Sequence, residues 1–195
     1  MSISAFAQIL QTTFKAGANY STVHNENLID NKYLVGTEFG FSRRFPLNEG
    51  KAGNLYLQSE ILFSRRGYKQ LYKSEELQIK FSYLSFPVTV VYRPIDFLSL
   101  EAGMEYNFLV RAKWDDGRDR IKVTKNYKRS DWGLVGGVTF LENKQINIFF
   151  RYVHGLKNIL HYPDINEFGV IKREIRDFNN RSFQLGIKIN IPGNR

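Results

Sequence analysis

The stretch Leu98-Ser-Leu-Glu-Ala-Gly-Met-Glu-Tyr-Asn-Phe-Leu-Val-Arg-Ala112 decides the fold. Leu98, Leu100, Ala102, Met104, Tyr106, Phe108 and Val110 fall on one side of an extended chain. Ser99, Glu101, Gly103, Glu105, Asn107 and Arg111 fall on the other, with Leu109 the one apolar exception. Successive Cβ atoms of extended backbone point to opposite sides, so a period of two marks a strand with one apolar and one polar face. Residues 181–191 repeat the pattern, setting Phe183, Leu185, Ile187, Ile189 and Ile191 against Ser182, Gln184, Gly186, Lys188 and Asn190.

Six further segments alternate in the same way: 14–23, 33–45, 55–65, 83–93, 132–141 and 146–154. Together they predict eight strands of roughly 9–15 residues. Strands of soluble proteins have a mode of about 5–6 residues, whereas a tilted strand needs about 9–11 to cross a bilayer. The connections alternate too. Segments 24–32, 67–80, 113–130 and 155–180 are polar and charged, while 46–54, 94–97 and 142–145 are mostly shorter. This is the rhythm of an outer-membrane barrel with short periplasmic turns, long outer loops and both termini periplasmic.

Period alone does not say which face looks inward, and an apolar interior would make a soluble lipocalin-like barrel binding an apolar ligand. Two features favour apolar-out. Glycines 36, 40, 103, 133, 137 and 186 sit mid-strand on the polar face, where they leave room for long neighbours inside a narrow barrel. The same face pools Glu38, Glu60, Glu101 and Glu105 with Arg44, Arg93, Arg111, Arg151 and Lys188, a set able to pair in a lumen. The expectation is an all-β, eight-stranded, antiparallel up-and-down transmembrane barrel with a side-chain-filled lumen. Eight strands leave too little interior for an open pore.

Composition fits this reading and excludes others. The chain has 195 residues, with 28 Lys+Arg against 19 Asp+Glu and a net charge of +9. It has no Cys, which removes disulfide scaffolds, thiolate nucleophiles and Cys-ligated metals. No apolar run reaches the about 18 residues of a membrane-spanning helix. Basic charge with 15% aromatics also suits a nucleic-acid binder, but that needs both on one strand face, and here they segregate.

With the strands placed, four stretches look familiar. Phe14-Lys-Ala-Gly-Ala-Asn-Tyr-Ser21, Gly36-Thr-Glu-Phe-Gly40, Tyr83-Leu-Ser-Phe-Pro-Val88 and Asp131-Trp-Gly-Leu-Val-Gly-Gly137 resemble strands of the Bacteroidota outer-membrane β-barrel domain family, often labelled porin-family or PorT-like. The resemblance implies an eight-stranded outer-membrane barrel with no stated chemistry.

Residues 1–7 read as the remnant of a signal peptide, since Ala5-Phe-Ala7 supplies the small residues a cleavage site needs. Residues 8–195 then form a single barrel domain. His154 and His161 lack a metal-binding spacing, and Ser130, Asp131 and His154 make only a weak rim triad. No catalytic residue, cofactor or metal is therefore expected. The positive excess collects in the connections, above all at Arg118, Arg120, Lys122, Lys125, Lys128 and Arg129. These suit the phosphates of lipopolysaccharide. The expected partners are outer-membrane lipid, lipopolysaccharide and other outer-membrane proteins, around a monomeric barrel with a structural or accessory envelope role.

Overall fold

A computed structural model describes residues 11–24, 31–47, 54–72, 75–115, 120–161, 164–165, 171–173 and 178–191. The proposed signal remnant 1–7 lies outside them. Eight long strands form the wall: β1 Gln11–His24, β2 Asn31–Pro46, β3 Leu55–Tyr72, β4 Glu75–Ile95, β5 Leu98–Asp115, β7 Ser130–Phe140, β8 Ile146–Gly155 and β11 Asn179–Ile191. Three short strands sit in the connections: β6 Arg120–Lys122, which pairs with the end of β5, and the hairpin of β9 Asp164–Ile165 with β10 Ile171–Arg173. One turn of 3-10 helix spans Thr124–Asn126.

All pairings are antiparallel, and each wall strand neighbours the next in sequence. The first and last strands close the ring, in register from Thr12↔Ile191 to His24↔Asn179. Closure leaves the eight wall strands without an open edge, the condition for a sheet to live in lipid.

Faces alternate as the period demands, and the apolar one looks outward. Phe39, Phe41, Ile61, Val88, Met104, Leu134, Phe150 and Leu185 are exposed, while Lys15, Glu60, Glu101, Glu105, Arg151 and Lys188 are buried inside. A lipocalin-like barrel needs the reverse, so the soluble alternative fails. Aromatic contacts run around the end of the apolar belt away from the termini: Tyr20 stacks on Tyr33 at 4.3 Å, Tyr152 meets Phe183 at 4.9 Å and Tyr106 meets Trp132 at 4.9 Å. Amphipathic rings favour such a boundary.

The expected connection at 67–80 is corrected. It is a hairpin, because β3 and β4 run on to Tyr72 and from Glu75. These strands and β5 have 18, 21 and 18 residues, far more than the about 9–11 a crossing needs. In the excess the faces exchange polarity. Inward positions become Tyr68, Leu77, Ile79, Phe81, Tyr83 and Leu109, all buried, and outward ones become Arg65, Lys80, Ser82 and Arg111. Strand that rises out of lipid meets water on its outer side, so its apolar side chains must turn inward.

Candidate functional site

Among the described residues, five buried cations (Lys15, Arg44, Arg66, Arg151, Lys188) share the lumen with five buried glutamates (Glu38, Glu60, Glu101, Glu105, Glu142) and Asp131. Arg151 is the hub. Its Nη1 and Nη2 donate to Glu60 at 3.0 and 2.5 Å, and its Nε donates to Glu101 at 2.7 Å. Lys15 lies 3.2 Å from Glu38 and 3.5 Å from Glu60, and Lys188 lies 3.4 Å from Glu101. Gln58 Nε2 donates to Glu60 and Glu101, joining the two carboxylates. Lys15 and Lys188 also flank the Phe149 ring, at 4.2 and 5.7 Å from its centroid.

Two further clusters extend the network. Arg66 donates twice to Glu105, at 2.6 and 3.3 Å, and Asn107 donates to the same carboxylate at 2.8 Å. At the end bearing the short turns, Arg44 holds Glu142 with two bonds of 2.7 and 2.9 Å, and Ser99 adds a third at 2.7 Å. Burial works to raise the Glu142 pKa, but these donors and the Arg44 charge hold it below the ordinary carboxylate value.

Above the charged layer lies an apolar cap. Val23, Tyr68, Ile79, Phe81, Tyr83, Leu109, Ala112, Tyr127, Ile159 and Phe178 pack as one cluster across the mouth away from the termini. Phe81 meets Tyr127 edge-on at 4.8 Å, and the Tyr68 and Tyr127 hydroxyls lie 3.3 Å apart. Leu109, the exception to alternation, belongs to this cap.

The residues expected to share the lumen are mostly brought together. Glu38, Glu60, Glu101, Glu105, Arg44, Arg151 and Lys188 are all buried inside. Arg93 sits half-buried at the mouth near the termini, its guanidinium 5.9 Å from the Tyr56 ring centroid. Arg111 is a correction: it is exposed on the outer wall. The register passes from Ser82↔Arg111 to Tyr83↔Leu109, so Val110 is an extra residue, and a bulge of this kind re-aims the side chains beyond it. Four lumen groups were missed. Lys15 lay in the alternating segment 14–23 without a partner to flag it, and Asp131 was read for a rim triad. Arg66 fell between segment 55–65 and connection 67–80, and Glu142 was read as part of the turn 142–145.

Of the basic residues in the connections, Arg120, Lys122, Lys125 and Arg129 are exposed and Lys128 is half-buried. Arg118 lies outside the described residues. The rim triad is not assembled. Asp131 points inward and accepts from Asn180 at 2.7 Å, whereas His154 pairs with outward Leu134 on the opposite face of the wall. Among the described residues no cluster of three or more His, Asp and Glu is placed to hold a metal.

A closed ring with lipid-facing apolar side chains and a charge-filled lumen defines an integral membrane β-barrel of the outer-membrane class. The chain belongs to the outer membrane protein beta-barrel domain family, whose model matches residues 6–161. Among solved structures it is similar to neisserial surface protein A, at 14% identity over 92% of this chain and 97% of that one, TM-score 0.51. It is likewise similar to Ail, the attachment invasion locus protein of Yersinia pestis, in complex with the heparin analogue sucrose octasulfate. There the identity is 14% over 93% of this chain and 99% of that one, TM-score 0.50. No curated protein matches the chain. At such identities the solved structures establish the fold, and the family places the chain in the outer membrane.

Proposed function

We propose that the protein is a sealed, non-catalytic barrel with a structural or accessory role in the envelope, including service as a subunit of a larger outer-membrane or secretion complex. The lumen carries this reading. Arg151 spans it to Glu60, and the apolar cap closes one mouth. A hydrophobic constriction excludes ions by dewetting, and below it Arg151 crosses the lumen to Glu60 and Glu101.

Both termini lie in the periplasm in this reading, and the basic connections face outward as a monomer's contact with lipopolysaccharide. Arg118, Arg120, Lys122, Lys125, Lys128 and Arg129 are the proposed contacts. Kinship with the small Bacteroidota barrels labelled porin-family or PorT-like is supported by the four short motifs alone.

Planar-bilayer recordings of the refolded full chain test the sealed lumen. The expected trace is flat across the voltage range, and discrete conductance steps would exclude the reading. Because the native chain has no Cys, a Lys125→Cys variant tests orientation separately. Its thiol should react with a membrane-impermeant maleimide on intact cells.

A further inference from the structure

Where the faces exchange polarity, the outer wall carries an unusual arrangement of charge. Lys80, Lys113 and Lys122 stand directly opposite one another on β4, β5 and β6. The adjacent outward row, one step nearer the apolar belt, is Arg65, Ser82 and Arg111. Like charges directly opposed destabilise a sheet. Asp115 offsets part of this set, lying 2.8 Å from Lys80 and 3.3 Å from Arg120. It is the one carboxylate among the described residues lining the groove beside these cations, and Arg65, Arg111 and Lys113 stand beyond its ion pairs.

The wall beneath them is open. Register between β2 and β3 shifts between Tyr33↔Tyr68 and Glu38↔Ser64, and a groove of about 520 Å³ lies at that break, lined by Val35, Thr37, Arg65, Ser82, Arg111 and Lys113 among others. From the lumen side, Asn19 Nδ2 donates to the Thr37 and Arg65 carbonyls at 3.3 and 3.1 Å, so the interrupted ladder is sealed behind the groove. Toward the middle of the belt the same wall presents exposed Phe39 and Ile61. Cations above an apolar strip match an amphiphile with an anionic head.

We infer that this groove binds the phosphate-bearing headgroup of an outer-leaflet lipid, with phosphates on Arg65, Arg111 and Lys113 and acyl chains along the belt below. The inference rests on the outward orientation proposed above and moves the principal lipid contact from the loops to the wall.

The full chain, folded in neutral detergent, is loaded with bis-phosphorylated lipid A and washed, and lipid per protein is measured. Wild type should retain this lipid and release lipid A stripped of both phosphates. Arg65→Ser/Arg111→Ser/Lys113→Ser should retain at least about tenfold less, the loss from about one charge-assisted bond. Asp115→Asn, which frees Lys80 and Arg120, should retain more. Heat-modifiable gel mobility verifies that each variant is folded. If Lys125→Ser/Arg129→Ser loses the lipid while the wall variant keeps it, the groove is overturned and the loop contact stands. If dephosphorylated lipid is retained equally, both fall. Displacement of lipid A by excess inorganic phosphate would make this a free-phosphate site and overturn the lipid assignment.

Discussion

Arg151 on β8 reaches across the lumen to Glu60 on β3, four places away around the eight-stranded ring, and grips both carboxylate oxygens at 2.5 and 3.0 Å. Both side chains are fully buried. A pair that ties opposite walls makes the lumen a core rather than a channel. Its members are costly to separate, because removing one leaves the other charged in a low-dielectric interior.

Arg151→Met should therefore destabilise the barrel by about 3–5 kcal/mol, read as a fall in the urea midpoint for loss of heat-modifiable mobility. Arg151→Met/Glu60→Gln should recover part of that loss, since it removes both charges. Equal midpoints for wild type and the single variant would show that the pair contributes nothing.

Gly17 and Gly186 face each other on β1 and β11, and a Cβ at Gly186 would lie 2.8 Å from the Phe149 ring and 2.2 Å from the Ala16 carbonyl oxygen. A Cβ at Gly136 would meet nothing within 4 Å. Gly186→Val should cost at least about 1–3 kcal/mol from overpacking or block folding. Gly136→Val should leave the unfolding midpoint close to wild type. Equal effects at the two sites would contradict the packed lumen.

The Glu142 latch predicts a pH dependence. The folded carboxyl titrates below its ordinary value, so its contribution is complete above the unfolded pKa of about 4.3. It is lost as pH falls through the lower folded value. The stability gap between wild type and Glu142→Gln should be constant near neutrality and narrow below about pH 4. A gap that widens on acidification would refute the sign.

Much of the barrel was legible in the sequence because lipid imposes a strict period. On β5 and β11 every second residue from Leu98 to Phe108 and from Phe183 to Ile191 is apolar, which marked them as strands, and the glycines and opposite charges of the other face turned that face inward. The same rule misled above the membrane. Beyond Arg65 and Ser82 the outer face meets water, so Tyr68, Ile79 and Phe81 turn inward and the segment looks like a polar loop. Arg111 was misplaced by the one-residue bulge at Val110, which leaves composition untouched. Arg66, buried against Glu105, was hidden because its neighbour Arg65 faces out.

That exchange of polarity carries its own prediction. Leu185 lies mid-strand on the lipid face and is 57% exposed, so Leu185→Arg should cost about 2–4 kcal/mol, the penalty for a cation near the bilayer midplane. Arg111→Leu, above the belt, should leave the midpoint nearly unchanged. Refolding into vesicles and urea titration measure both, and a stabilisation of about 2–4 kcal/mol by Arg111→Leu would place Arg111 within the apolar belt.

The central claim is that apolar positions face lipid and charged positions face a closed lumen. Because the native chain has no Cys, single cysteines at Asn147, Ile148, Phe149 and Phe150 of β8 can each carry a fluorophore in vesicles containing brominated lipid. Quenching should be strong at 148 and 150 and weak at 147 and 149. The opposite parity, or equal quenching at all four, would contradict the account.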